Sequence, residues 1–453
     1  MSAYAQARPR LLAVVTRGGL GAAYVAEQRK LLAATSTRIT ALVCALGPLA
    51  VAIVVSGQSG VPGDSLLGTW IHSSGWAVGF VMLGFADYLG FPLLAGLVAG
   101  DLFACEDRYG TWKALLTRSC SRRDVFAAKV LVGCALASAL TALAAISSIA
   151  GGLLFVGSQP LVGLGGTVIP SGEAVLLLLC SWLLGIPPLI GFVALATLLS
   201  VVSRSGIVGV AGTAIAGLVM QLLAFVGNGS WTGWALLGSA FDDWHGLLAS
   251  PRYFAQLAIA LVVSALWTTG ALWAAWAILR RRDFAGPPVT RLRGWLPFAR
   301  IALAAGLACL ALIAAISSGP TTVTRGRLAA SIARNFRRLT VLQQRELGRY
   351  VPADPSFDMK TSCARRGRAV GGPGDDWVCT ITMPSAQTGF DPLELAQVAY
   401  EVSVKADGCY KADAPPTFVG EQALTGAHGA RFVNPLFTIY GCFDTTAHQP
   451  GRQ

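Results

Sequence analysis

Glu106-Asp107-Arg108-Tyr109-Gly110-Thr111-Trp112-Lys113-Ala114-Leu115-Leu116, followed after four residues by Ser121-Arg122-Arg123-Asp124, is a dense charged stretch between two long apolar runs. Both signs of charge are interleaved with a glycine and a tryptophan. A solvated link between two membrane helices needs no such pattern, whereas a surface that docks on another protein does. The runs on either side, roughly 76–100 and 127–156, are long enough to cross a bilayer as helices.

Further runs extend the pattern along the chain: roughly 38–56, 173–202 (interrupted by Pro187-Pro188), 206–227, 255–279 and 299–317. Of the 453 residues 54% are hydrophobic and 13% charged, against about a quarter charged in soluble domains. The fold class read from this is an α-helical polytopic membrane protein of about seven transmembrane helices, with a small C-terminal α+β extracytoplasmic domain. The boundaries are a cytoplasmic N-terminus at 1–37, a six-span unit at 38–280, a basic linker at 281–298, a seventh span at 299–317 and an outer domain at 318–453. Residues 20–37 read as an amphipathic helix lying in the interface. The N-terminus lacks the apolar core and small-residue cleavage site of a signal peptide.

Basic residues set the orientation. Arg29, Lys30, Arg38, Arg108, Lys113, Arg122, Arg123, Lys129, Arg204 and Arg280–Arg282 all fall on one side. The short loops of the other side hold only Arg252, beside Asp64, Glu173, Asp242 and Asp243. The N-terminus is therefore expected in the cytoplasm and the C-terminal domain outside, in a cell membrane. The net charge of +12 then reflects topology and contact with anionic lipid, and nucleic acid is not an expected partner.

The C-terminal segment has a different texture. Leu328, Ile332, Phe336 and Leu339 share a helical face, and β-like stretches follow at 377–383, 399–404 and 432–443. Cys363, Cys379, Cys409 and Cys442 lie in this segment; local closure favours Cys363–Cys379 and Cys409–Cys442 as disulfides, which persist in oxidising compartments. A zinc site at His428 or His448 is disfavoured by the lack of a Cys-x-x-Cys spacing, so no metal site is expected.

No Gly-x-x-x-x-Gly-Lys-[Ser/Thr] loop, His-Glu-x-x-His or Gly-x-Ser-x-Gly motif occurs, so no catalytic residues are expected and any chemistry falls to a partner. One polar residue stands out within a span. Asp87 lies midway along the second, where a carboxylate costs ~2.5–3.5 kcal/mol on insertion scales. It is read as hydrogen-bonded to a serine or threonine of a neighbouring helix, with a translocation path or proton coupling as the other possibility. The aromatic insert at 228–254, with Trp231, Trp234, Phe241 and Trp244, is read as an outer interfacial belt.

The loop resembles the cytoplasmic loop of export-type (ABC-2) ATP-binding-cassette permeases, in which Glu-x-x-x-Gly-Thr-x-x-x-Leu-Leu precedes a Ser-Arg step into the next span. Glu106, Gly110, Thr111, Leu115, Leu116, Ser121 and Arg122 match, and Cys120 stands where that family often has proline. The likeness covers roughly 20–280. It implies an export permease subunit that moves a hydrophobic or amphipathic substrate, pairs with a second permease copy, and binds no cofactor itself. ATP and Mg would belong to a separate cytoplasmic ATPase docking at 101–126, through Glu106, Arg108, Gly110, Thr111, Trp112 and Arg122. It also implies that the 228–254 loop re-enters the membrane. The alternatives are a proton-coupled secondary transporter using Asp87 and a membrane-anchored sensor or assembly protein acting through its outer domain.

Overall fold

The computed structural model describes residues 19–57, 70–116, 121–226, 235–282, 323–351, 359–367, 371–383, 396–405, 407–427, 429 and 431–445. Among these, six helical runs are long and apolar enough to cross a membrane. The expected seventh span at 299–317 lies outside the described residues, as do Trp231, Trp234, His428 and His448.

A short helix, α1 (Leu20–Ala33), leads through Ala34 into the first span, α2 (Thr35–Gly57). The second span is compound. It comprises α3 (Gly75–Phe85), one π-helical segment (Ala86–Gly90) and α4 (Phe91–Ala99), and continues to α5 (Ala104–Tyr109) and α6 (Trp112–Leu116). The third is α7 (Arg122–Phe155), started by a capping box in which Ser121 and Asp124 satisfy each other's backbone N–H. A two-strand hairpin, β1 (Leu161–Val162) and β2 (Val168–Ile169), leads to the fourth span. That span is α8 (Ser171–Leu184) and α9 (Ile186–Ser203), divided at Gly185, just before Pro187-Pro188. Then come α10 (Gly206–Val226), a 3-10 turn (Ser239–Trp244) running into α11 (His245–Leu248), and α12 (Ala255–Arg280).

Close helix crossings secure the second span. Gly75 lies against the Gly152 carbonyl of α7, and a Cβ added at Gly100 would stand 2.6 Å from the Gly209 backbone of α10. Side chains there would force the helices apart, the general reason small residues gather at membrane helix contacts.

The C-terminal domain packs α13 (Arg325–Glu346) on a five-stranded antiparallel sheet in the order β3-β4-β5-β6-β9. Its strands are β3 (Lys360–Arg365), β4 (Gly374–Met383), β5 (Ala396–Val404), β6 (Cys409–Asp413) and β9 (Thr438–Cys442). A small side hairpin pairs β7 (Ala423–Thr425) with β8 (Arg431–Val433). The stretch 432–443 is thus two strands of different sheets, separated by a turn at Pro435–Phe437. The core joins Leu328, Ile332 and Phe336 to Trp377, Ile381 and Tyr400. Disulfides Cys363–Cys379 and Cys409–Cys442 each join directly opposed residues of neighbouring strands.

This domain rests on the hairpin and on the 239–256 segment. The Gly165 N–H donates to the Tyr440 carbonyl at 3.1 Å, and Lys405 pairs with Asp242 at 3.6 Å. The charged loop at 101–116 and α1 lie at the opposite ends of the spans. There Arg122 of α7 donates to the carbonyls of Arg280 (3.2 Å) and Arg282 (3.1 Å) at the end of α12.

Candidate functional site

Two clusters carry polar chemistry within the membrane unit. The first is built on the loop between the second and third spans. Gly110 caps α5 in the left-handed region (φ 64°), where a side chain would cost ~1–2 kcal/mol, and so turns the chain back on itself. The turn brings Thr111 under Glu106: the threonine N–H donates to the Glu106 carbonyl at 3.0 Å, and its hydroxyl donates to Oε2. Oε1 of Glu106 accepts from Lys30 of α1 and, at 2.9 Å, from Lys129 of α7. Lys129 also pairs with Glu27 of α1 at 2.9 Å, and its ammonium stands 5.8 Å from the Phe103 ring centre. Lys129 is fully buried and Glu106 is 2% exposed.

Two carboxylates and two ammonium groups thus make a neutral cluster that ties α1, α5 and α7 together. Such neutrality is the condition under which charges persist in a low-dielectric interior. Burial works to lower the Lys30 ammonium, but the Glu106 carboxylate outweighs it and holds that group above its ordinary range.

Asp107 sits beside this cluster. It accepts the Trp112 indole N–H at 3.1 Å and pairs with Arg282 beyond α12. Trp112 is 5% exposed and stacks on Phe103. Glu106 and Trp112 therefore face inward, contrary to the expectation that they meet a partner directly. Arg122 is spent on the end of α12. What the loop shows to solvent is Arg108, Tyr109, Gly110, Thr111 and Lys113, with Tyr109 70% exposed. Arg108 is steadied by Asp101 at 2.7 Å.

The second cluster surrounds Asp87. The π-helical segment widens the second span at that residue, and such bulges are frequent at functional positions. Asp87 is 1% exposed. Its Oδ2 accepts the Trp244 indole N–H at 2.8 Å, while Oδ1 has no partner among the described residues. The Gln221 amide donates to the Asp87 carbonyl (3.3 Å) and to the Gly238 carbonyl (3.2 Å).

The expected serine or threonine partner is therefore a tryptophan from the aromatic insert. Trp244 and Phe241 do not form a lipid-facing belt. They are buried among Phe80, Phe91 and Phe192, with Trp244 stacked on Phe80 at 5.5 Å between centroids. A cavity of about 10 Å³, room for one water, lies between Pro187-Pro188, Asp243 and Trp244.

The C-terminal domain closes over the same insert. Gln256 donates to the Asp407 carbonyl and to the Thr445 hydroxyl at 3.2 Å. Tyr253 Oη lies 3.7 Å from Cys409 Sγ. Burial pushes the His245 imidazole down to about 4 and raises the Asp243 carboxyl well above the usual range. His245, Asp407 and Cys409 come together as possible metal ligands, but the Cys409 sulfur is bonded to Cys442 and supplies no thiolate.

Glu27, Lys30, Lys129, Gln221 and Trp244 carry these sites without having been singled out from the sequence as site residues. A signal existed for Lys129, an ammonium group one turn into an apolar run.

A comparison with curated proteins gives no match. Residues 26–219 match the model of the family described as ABC-2 family transporter protein. The match takes in Glu27, the second span with Asp87, the whole charged loop and α7 through most of α10. Over that stretch, with its multiple spans and the loop between the second and third, the chain is similar to ABC-2 family transporter proteins.

Proposed function

We propose that this chain is the membrane subunit of an ATP-driven export complex, powered by a separate cytoplasmic ATPase chain that docks on the exposed rim Arg108–Lys113. The observation that carries this reading is the neutral cluster in which buried Glu27, Glu106 and Lys129 are closed off by the half-exposed Lys30. It fixes the loop rigidly to α1 and α7, so a push on the exposed rim is passed to two helices at once. ATP binding then favours one permease state if the rim docks differently in the two. Glu106, Gly110, Trp112 and Arg122 position the rim; Arg108, Tyr109, Thr111 and Lys113 meet the partner.

The loop side is cytoplasmic and the C-terminal domain extracytoplasmic, which accords with the basic bias of the loops and the two disulfides. Two cavities among the described residues, one beside Trp244 and Pro187-Pro188 and one beneath the C-terminal domain, measure about 10 and 20 Å³, too small for cargo. On this reading the path for a hydrophobic or amphipathic substrate runs between this chain and a second permease copy.

The test is a detergent pull-down of the tagged full chain with ATPase activity assayed on the eluate, beside an R108E/Y109A/K113E variant. These are surface positions, where substitutions usually change stability by less than ~0.5 kcal/mol. A stoichiometric ATPase with the wild type and its loss from the equally stable variant is the expected result. Well-folded wild type without any ATPase overturns the reading. Flux driven by a pH gradient alone and abolished by Asp87→Asn would then point to the unpartnered Oδ1 as a proton site.

A further inference from the structure

The two readings above leave the arginines of α13 unused. Arg327, Arg334, Arg338 and Arg345 recur at intervals of seven, four and seven residues. At ~100° per residue they fall in a stripe about 40° wide, with Arg337 on its flank. Arg334, Arg337 and Arg345 are exposed and Arg338 is half-buried. Arg334, Arg337, Arg338 and Arg345 make no salt bridge to a carboxylate among the described residues. Nη1 of Arg338 is buried without a partner. Burial, and to a lesser degree the neighbouring Arg334, depresses the Arg338 guanidinium.

Where the stripe sits decides what the anion is. The flank of α13 bearing Asn335, Arg338 and Leu339 lies on Gly165 and Gly166, at the tip of the β1–β2 hairpin. That hairpin begins six residues after Phe155 ends the third span, and its second strand ends two residues before Ser171 starts the fourth. The helix is therefore carried directly over the ends of the spans, next to the polar layer that adds ~5–8 Å to each leaflet beyond the hydrocarbon. The stripe also runs against the charge bias of this face, whose short loops hold only Arg252.

We infer that the arginine stripe of α13 binds the anionic phosphate headgroups of the lipid leaflet it overlies, making the C-terminal domain a lipid-contacting module. A guanidinium fork matches phosphate oxygens in pairs, and a row along one helix spans several headgroups. The inference requires only that the chain spans a bilayer and stands apart from the ATPase reading.

The test uses the full chain in nanodiscs of equimolar phosphatidylcholine and phosphatidylglycerol, with retained lipids counted by native mass spectrometry. Amide exchange across Arg325–Glu346 is followed in the same discs and in pure phosphatidylcholine. The expected results are preferential retention of phosphatidylglycerol and slower exchange in its presence. The preference falls about 5-fold per arginine removed, on the order of 100-fold in R334Q/R337Q/R345Q. K360Q, an exposed charge change on β3, leaves it intact. Glutamine keeps the helix propensity close to that of arginine, so α13 survives the exchange. Equal retention by wild type and the triple variant overturns the inference, as does an equal loss in K360Q. Displacement of the lipid by millimolar inorganic phosphate also overturns it, since the stripe would then serve a soluble anion.

Discussion

Glu106, in the loop that follows the second span, and Asp87, within that span, are both buried carboxylates, and they are treated in opposite ways. Glu106 receives two ammonium groups and a threonine hydroxyl, and the cluster around it is neutral. Asp87 receives one indole N–H, no cation among the described residues, and keeps one oxygen unpartnered. A neutral, cross-linked cluster resists change, because removing any member strands a charge. A carboxyl with one neutral donor holds fewer constraints and can gain or lose a proton or a water with its surroundings in place. On the proposed reading the first site suits the transmission of force and the second a change of state.

Three measurements sharpen or break this contrast. Lys129→Met should have the largest effect, since it strands Glu27 and half of Glu106 in the interior. A loss of ~3–5 kcal/mol is expected, read by thermal unfolding in micelles; an unchanged melting temperature would mean the cluster is not held by its charges. Trp244→Phe removes the donor to Asp87 and should cost ~1–3 kcal/mol, whereas Asp87→Asn, which keeps shape and sheds charge, should cost less than ~1 kcal/mol. If Asp87→Asn matched Lys129→Met, the two carboxylates would be equivalent after all.

The remaining effect is in pH. His245 is held down to about 4 within the 239–248 segment, beside Asp242 and Lys405. Between its ordinary value and 4 the unfolded chain takes a proton that the folded one refuses. Stability therefore falls as pH drops through that window, by ~1–2 kcal/mol allowing for partial exposure. Asp243 and Asp407, held up by burial, bias the opposite way, so the reading is the difference between wild type and His245→Gln. No difference between them from pH 7 to pH 4 would show that His245 titrates normally.

Six of the expected spans were legible because apolar runs of the required length announce themselves, and the break beside Pro187-Pro188 was visible as such. The disulfide pairing could be read because each bond joins cysteines neighbouring in sequence order, one across the β3–β4 hairpin and the other across the β6–β9 connection that carries β7 and β8. The interior of the charged loop could not. Lys30 and Lys129 lie 76 and 23 residues from Glu106, and nothing in the loop says which of its charges turn inward. Trp244 misled for a related reason: its composition fits an interfacial belt, and only the fold brings it to Asp87, 157 residues away. β3 and β6 were missed because Lys-Thr-Ser-Cys and Cys-Tyr-Lys carry little β-branched signal. The Pro435 that divides 432–443 was a turn signal passed over.

The glycine crossings have a mechanical consequence. The second span is clamped near both ends, at Gly75 on α7 and at Gly100 on α10, by backbone against backbone with no side chain to give. Between the clamps lies a single irregular turn, Ala86–Gly90. A beam pinned at both ends and weakened at one interior point bends there and nowhere else. Strain sent along this span from either end would be taken up first at the turn that carries Asp87.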